Sequence, residues 1–506
     1  MQLPNQFKAT IPKKPLASLH DVIERGRVQC GIQGMSIAVL YKGDLIFAEG
    51  FGKRNEYDAF TAETLSPIGS LTKAFTATAI GELVAEGKMD WDNTPVSKYL
   101  PEFELKDPVL TSQLTLVDLL SHRTGLPDDV DLAFYKCTAS RRDIIKRLRH
   151  VNMPSKLGSK TRYLNAMYAV AGEAAANIEG TSYEDVVREK VIKPLGLTNT
   201  GFSPVEMQKR SPNHAMPFSA ASFEDAQKGV FKMEEHDEIY MAFAPSGDMY
   251  SNVLDVVRWG KAVMNTGELD GKQILNKESV QETLAGHTID MEGRTRSRDF
   301  APVTTYGLGW ELDSYKGQTF YRHSGNVNGF SAHLIIFPDA DLVIAQQFNL
   351  LHMDLAPNLS YHIADELLDL PKTQDWIFDV AVRETKAMYE GNAKSSKGNL
   401  PERIPGKLAT HSLQAYVGQY THPVLGDLLV WLENEKGEEK KLMFKIWGLS
   451  NELEHYHFDA FVIDLSHVAF KMKGLATFQT GQDGKIGTVL VDVVDGGEFK
   501  RKHTSE

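Results

Sequence analysis

Cysteine is nearly absent. Among 506 residues there are two, Cys30 and Cys137, too few for a disulfide framework, so an apolar core has to hold the fold. No apolar run reaches the roughly 18 residues of a membrane-spanning helix. Met1 to Pro15, MQLPNQFKATIPKKP, carries lysines but no apolar h-region, which argues against a secretory leader. The expectation is a cytoplasmic protein with no membrane partner. Basic excess is lacking as well: 55 Lys and Arg stand against 67 Asp and Glu, a net charge of −12. That balance lacks the electrostatic footprint of a nucleic-acid binder. No internal repeat appears. No G-x-x-x-x-G-K-[ST] phosphate loop occurs. No G-x-S-x-G nucleophile elbow occurs either, since GMSIA, GTSYE, GFSAH and GLSNE all miss the final glycine.

What is present is ordinary globular composition, 42% hydrophobic and 24% charged, enough for a large core. The segment SIAVLYKGDLIFAEGFG reads as a β-hairpin turning at Lys42-Gly43-Asp44. Residues of about 70–300 carry helical rhythm, with Phe75, Ala79 and Leu83 on one stripe and further helices at 117–120, 168–178 and 260–264. Strand patterns return in YGLGWEL, FYRHSG, FSAHLIIFP and DLVIAQQFN. Strands at both ends of a helical middle predict one sheet shared by the two ends, with helices packed around it, an α/β (α+β) layer arrangement. A helical stretch at 355–389 precedes GNAKSSKGNLPERIPGK, which reads as a linker over 391–410. Beyond it, 411–506 alternates short β-like runs with turns at Gly426-Asp427, Glu435-Lys436-Gly437, Asp483-Gly484 and Gly496-Gly497, a small antiparallel barrel or sandwich.

The chemistry begins at Ser70-Leu71-Thr72-Lys73. On a helix, residues i and i+3 share a face, so the Lys73 amine reaches the Ser70 hydroxyl. Serine is a weak nucleophile until a base takes its proton, and burial can lower a lysine pKa enough for that work. Tyr163 follows as a second candidate base, since a neighbouring ammonium favours its phenolate. Asn165 can orient Lys73 or accept a substrate donor. In the strand YRHSGNVNGF, Gly325 admits close approach of a substrate, and the Asn326 N–H can pair with that of Ser70 as an oxyanion hole. His455, His457 and Asp459 have strand-alternating spacing compatible with a metal, but without a cysteine partner they read as a half-buried barrel strand.

S-x-x-K, Y-x-N and H-x-G in this order, separated by 93 and 160 residues, resemble the serine β-lactamase and penicillin-binding-protein superfamily, in its class C β-lactamase, D-aminopeptidase and esterase branch. LLSHRTGLP (119–127), PSGDMYSNVLDVVRW (245–259) and HSGNVNGFSAHLIIF (323–337) extend the resemblance across most of 20–350. It implies a serine hydrolase domain over 1–390 with a helical subdomain at about 75–300, an acyl-enzyme on Ser70, and Lys73 and Tyr163 sharing base and acid work. Asn165 would orient the site. His323 stands where β-lactam enzymes of this superfamily carry the K-T-G lysine that meets a substrate carboxylate. An imidazole there offers a charge that fades between about pH 5 and 8, and the H-x-G pattern is similar to D-aminopeptidase-like members. The tail over 411–506 resembles a lipocalin-like domain. No cofactor and no metal are implied. The substrate class is a peptide, D-amino-acid amide or small ester. Acyl transfer to a second alcohol or amine, weak β-lactam hydrolysis, and a non-catalytic binding protein on the same fold are the alternatives, and a homo-oligomer stays open.

Overall fold

The computed structural model describes residues 18–133, 139–236, 241–290, 299–301, 303–351, 354–395, 400–433, 440–466, 472–492 and 497–502. Met1 to Pro15, Cys137 and the turn at 435–437 lie outside them.

The hairpin forms as its sequence predicts. Strands β1 (Gly34–Tyr41) and β2 (Asp44–Gly52) meet at a turn in which Lys42 and Gly43 both take positive φ, 51° and 82°, the two-residue geometry that matches strand twist. Six more strands complete the sheet: β3 (Thr288–Asp290), β4 (Thr304–Tyr306), β5 (Glu311–Tyr315), β6 (Gln318–Val327), β7 (Phe330–Phe337) and β8 (Leu342–Phe348). Their spatial order is β3-β4-β5-β6-β7-β8-β1-β2, every neighbouring pair antiparallel. The two ends of this region therefore share one sheet, through the pairing of Met35 with Phe348 and Tyr41 with Leu342.

Both faces of the sheet are covered, which is why β7, FSAHLIIF, is buried at every position. One face packs on helix α1 (Leu19–Gln29), the helix Leu355–Leu367 and the turn Trp376–Ala381. The other packs on the helical region: α2 (Thr72–Ala85), α3 (Asn165–Glu179) and α4 (Val253–Met264). From Thr72 to Gly81 helix α2 is enclosed on all sides, with Ala74, Phe75, Ala77, Ala79 and Ile80 buried. That enclosure sets the solvation of anything charged at its start.

The stretch read as a linker is partly helical: Val382–Ser395 continues through Gly391 and Asn392, because the Ala, Glu and Lys before them favour helix more than two weak formers oppose it. Among the described residues the tail forms nine antiparallel strands between Gly418 and Arg501 in one nearly closed sheet. Its two end strands, Leu449–Glu452 and Glu454–His457, are joined by Leu453 alone, so the chain itself bridges the seam. Tyr416, Tyr420, Phe461 and Phe478 pack in edge-on and tilted ring contacts inside. Asp459 is engaged by Thr410 and Tyr416, and His457 accepts from the Ile404 N–H. Among the described residues no group of three His, Cys, Asp or Glu side chains is arranged to hold a metal. The barrel turn Pro423–Leu425 faces Pro127 and Val130 across a cavity of about 300 Å³.

Candidate active site

Ser70 lies in a short 3₁₀ turn, Gly69–Leu71, that runs directly into α2. Gly69 has φ 52°, the left-handed region where a side chain is strained. Space also demands glycine here, since a Cβ on Gly69 would stand 2.6 Å from the Asn326 nitrogen. On the facing strand β6, a Cβ on Gly325 would lie 1.8 Å from the Ile68 carbonyl oxygen and 2.9 Å from the Ser70 nitrogen. Gly325 is therefore required by the chain's own backbone, where the sequence had suggested approach of a substrate. The strand crosses the turn closely, with the Asn326 nitrogen against Gly69 and the Ser70 nitrogen against Gly325.

Lys73 is wholly buried. Its Nζ lies 2.9 Å from Ser70 Oγ, 2.6 Å from Asn165 Oδ1 and 3.0 Å from the Ser246 carbonyl oxygen. Burial disfavours the ammonium and brings the Lys73 pKa down to about 7, against the opposing pull of the Asp131 carboxylate. Asn165 is engaged at both ends of its amide, because its Nδ2 donates to Asp131 Oδ2 at 2.9 Å. Of the two roles read for Asn165, the geometry fits orientation of Lys73.

Asp131 is a residue that sequence reasoning missed. Its carboxylate accepts from the backbone N–H groups of Asn165 and Ala166 at 2.9 and 2.8 Å. Leu164, at the helix cap, has no side-chain oxygen to offer, so Asp131 caps α3 from a 3₁₀ helix, Asp128–Ala133, 34 residues upstream. The only signal was an acid-rich stretch, PDDVDL, with no periodicity. Ser246 was equally illegible, since it acts through its carbonyl.

The Tyr163 phenol stands beside the Ser70 hydroxyl, which favours its ionised form, and the Lys73 Nζ lies 4.6 Å from the centre of its ring. The tyrosine keeps 44% of its surface exposed, so it borders solvent. Its phenol pKa is nonetheless pushed upward, chiefly by crowding with protein atoms, the Ser70 hydroxyl opposing. The expected phenolate is corrected by this: Lys73 is the group whose neutral form is reached first, and a neutral amine no longer draws the phenol down.

His323 also departs from expectation. It is 3% exposed. Its Nδ1 faces the Ser324 carbonyl oxygen at 2.6 Å and its Nε2 the Tyr306 hydroxyl at 2.9 Å. With Nδ1–H donating to the carbonyl and Nε2 accepting from the phenol, both nitrogens are used in a neutral ring. Burial and then the Lys73 charge lower its pKa to about 4. It therefore carries no charge in the range where the sequence anticipated a titrating cation.

The match to known proteins agrees with this architecture. The Beta-lactamase family profile matches residues 19–368, and the chain belongs to that family, as a serine hydrolase in the broad sense. A second profile, described as a domain of unknown function (DUF3471), matches residues 402–502. Among relatives, an unguisins hydrolase of Aspergillus campestris is 27% identical over 433 residues, covering 82% of this chain and 78% of its own. Penicillin-binding protein 4 of Amycolatopsis lactamdurans is 26% identical over 326 residues, 63% of this chain and 81% of its own. The octameric penicillin-binding protein homologue from Pyrococcus abyssi superposes with a TM-score of 0.61 at 20% identity, over 92% of this chain and 96% of its own, a likeness of fold.

Proposed function

We propose that the chain cleaves an amide or ester of a peptide, D-amino-acid amide or small ester through a covalent acyl-enzyme on Ser70, with Lys73 as the base. The arrangement around the Lys73 Nζ carries this reading. A neutral amine has two hydrogens and one lone pair. Asn165 Oδ1 and the Ser246 carbonyl oxygen accept the two hydrogens, which leaves the lone pair aimed at the Ser70 hydroxyl 2.9 Å away.

The steps follow. Lys73 takes the Ser70 proton as Oγ attacks the substrate carbonyl, and the N–H groups of Ser70 and Asn326 hold the oxyanion. The carbonyl–leaving group bond then breaks. Tyr163 gives its proton to the leaving atom and recovers one from protonated Lys73. Water enters by the reverse relay: it loses a proton as it attacks the acyl carbon, and Ser70 regains one as it leaves. His323 acts in this reading as a neutral strut that fixes Tyr306 beside the site. The name of the Aspergillus campestris relative, a hydrolase, supports hydrolysis as the outcome.

Ser70→Ala is expected to keep the fold and lose all covalent adduct with a fluorophosphonate, read by intact-protein mass. An adduct of undiminished yield on the variant would sink the mechanism. Gly325→Ala, in contrast, is expected to fail by folding, because its Cβ meets a backbone carbonyl that cannot move away without shifting the Ser70 turn. A variant with wild-type thermal stability would show that the strand-to-turn contact is softer than its geometry implies.

A further inference from the structure

His122 takes no part in the steps above, yet it is built into the site with unusual constraint. It is 1% exposed and holds φ 60°, a left-handed backbone uncommon outside glycine, in which histidine is found with Asn and Asp more often than other side chains. Such a conformation persists only where surrounding contacts over-determine it. Those contacts lie on either side of Tyr163. The His122 carbonyl accepts from the Arg162 N–H at 2.8 Å, and its Nδ1 accepts from the Leu164 N–H at 3.1 Å. The imidazole packs against the Tyr163 ring, centroids 4.3 Å apart, with the Tyr306 and Tyr168 rings at 4.9 and 5.3 Å. Because Nδ1 accepts, the proton of the neutral ring is on Nε2, which is buried with no hydrogen-bond partner among the described residues. An imidazole that gives up one hydrogen bond while holding a strained backbone serves the residue that it brackets.

We propose that His122 is the positioning residue for Tyr163, gripping the backbone before and after it and backing its ring so that the phenol stays on Ser70. The proposal rests on the reading of Tyr163 as proton donor to the leaving atom. It predicts a selective defect. A p-nitrophenolate leaves without a proton, whereas an ethoxide needs one, so loosening Tyr163 should harm an ethyl ester more than a p-nitrophenyl ester of the same acyl group. A merely structural role would harm both alike.

The experiment compares kcat/KM on those two esters for wild type, Tyr163→Phe, His122→Gly and His122→Asn, with thermal stability measured alongside. Glycine accepts the left-handed backbone but has no acceptor and no ring. Asparagine accepts it too, and its Oδ1 can take the place of Nδ1. Tyr163→Phe should lose far more on the ethyl ester. His122→Gly should show the same bias, roughly tenfold or more within the 10²–10⁴ that proton transfer contributes, with KM little changed, and His122→Asn should recover much of it. Equal losses on both esters in His122→Gly, beside a biased Tyr163→Phe, would overturn the proposal while leaving the Tyr163 reading intact. An unbiased Tyr163→Phe would bring down that reading and the proposal with it. Should His122→Gly not fold, His122→Asn, which keeps an acceptor but no ring, decides alone: a residual bias against the ethyl ester at unchanged stability supports the clamp, and losses equal on the two esters, or none, overturn it.

Discussion

Lys73→Met is expected to lower kcat/KM by on the order of 10²–10⁴, the range for a positioned general base, and Tyr163→Phe to lower it within the same range on substrates with poor leaving groups. The double variant should be hardly worse than the poorer single one. Both residues move the same proton, from Ser70 through the amine and the phenol to the leaving atom, so once either is gone the other has nothing to relay. Lys73→Met is the cleaner test of the base because the thioether fills the buried space with an unbranched apolar chain. Single-turnover acylation by an ester, followed by intact mass, isolates the first half-reaction. Losses that multiply in the double variant would mean two independent roles and would break the relay.

The second large effect is on pH. With the Lys73 pKa brought to about 7 by burial, the amine that does the work is the deprotonated form. Activity should therefore rise with pH through about 7 and level off above it. Each unit below the midpoint costs about tenfold, so kcat/KM at pH 5 should stand about 100-fold under the plateau. His323, at about 4, adds no limb above pH 5, and the upward-shifted Tyr163 adds none below pH 10. An anionic and a neutral ester should consequently give parallel profiles, the opposite of what an exposed imidazole at that position would produce. A profile flat from pH 5 to 8 would remove Lys73 as the base.

How far the site could be read before folding depends on sequence distance and on burial. Ser70 and Lys73 were legible together because one helical turn fixes their separation whatever surrounds it. Asn165 was legible as a helix-start residue, but its choice between two roles was not, since that choice is made by Asp131 in a 3₁₀ helix 34 residues away. His122 sits within LLSHRTGLP, and nothing in its neighbours revealed the bonds that it accepts from Arg162 and Leu164. The titration of His323 was misjudged for a related reason. Residue type gives a starting pKa, whereas depth in the protein and the nearby Lys73 move it, and both are properties of the assembled sheet. In the fold, most strands of the shared sheet were readable from their apolar β-rich runs and their turns, whereas Thr288–Asp290 lay in a zone read as helical. The enclosure of α2 was not, because small residues such as Ala74 and Ala77 read as neutral until close packing uses them on every side.

The position of β1 has a bearing on how the protein is made. Gly34–Tyr41 is interior to the sheet, buried at seven of its eight positions, and one of its edges is satisfied at once by β2. The partner for the other edge, Leu342–Phe348, leaves the ribosome about 300 residues later, which at roughly 5–20 residues per second is about 15–60 s of synthesis. For that interval the nascent chain offers an apolar strand with a row of free amides and carbonyls, a template for pairing with the wrong neighbour. A ribosome that stalls before residue 342 releases a chain with Ser70, Lys73, Tyr163 and Asn165 all present and no means of closing the sheet around them. Yield in the cell is then governed by what shelters this edge during translation, a demand distinct from the stability of the finished molecule.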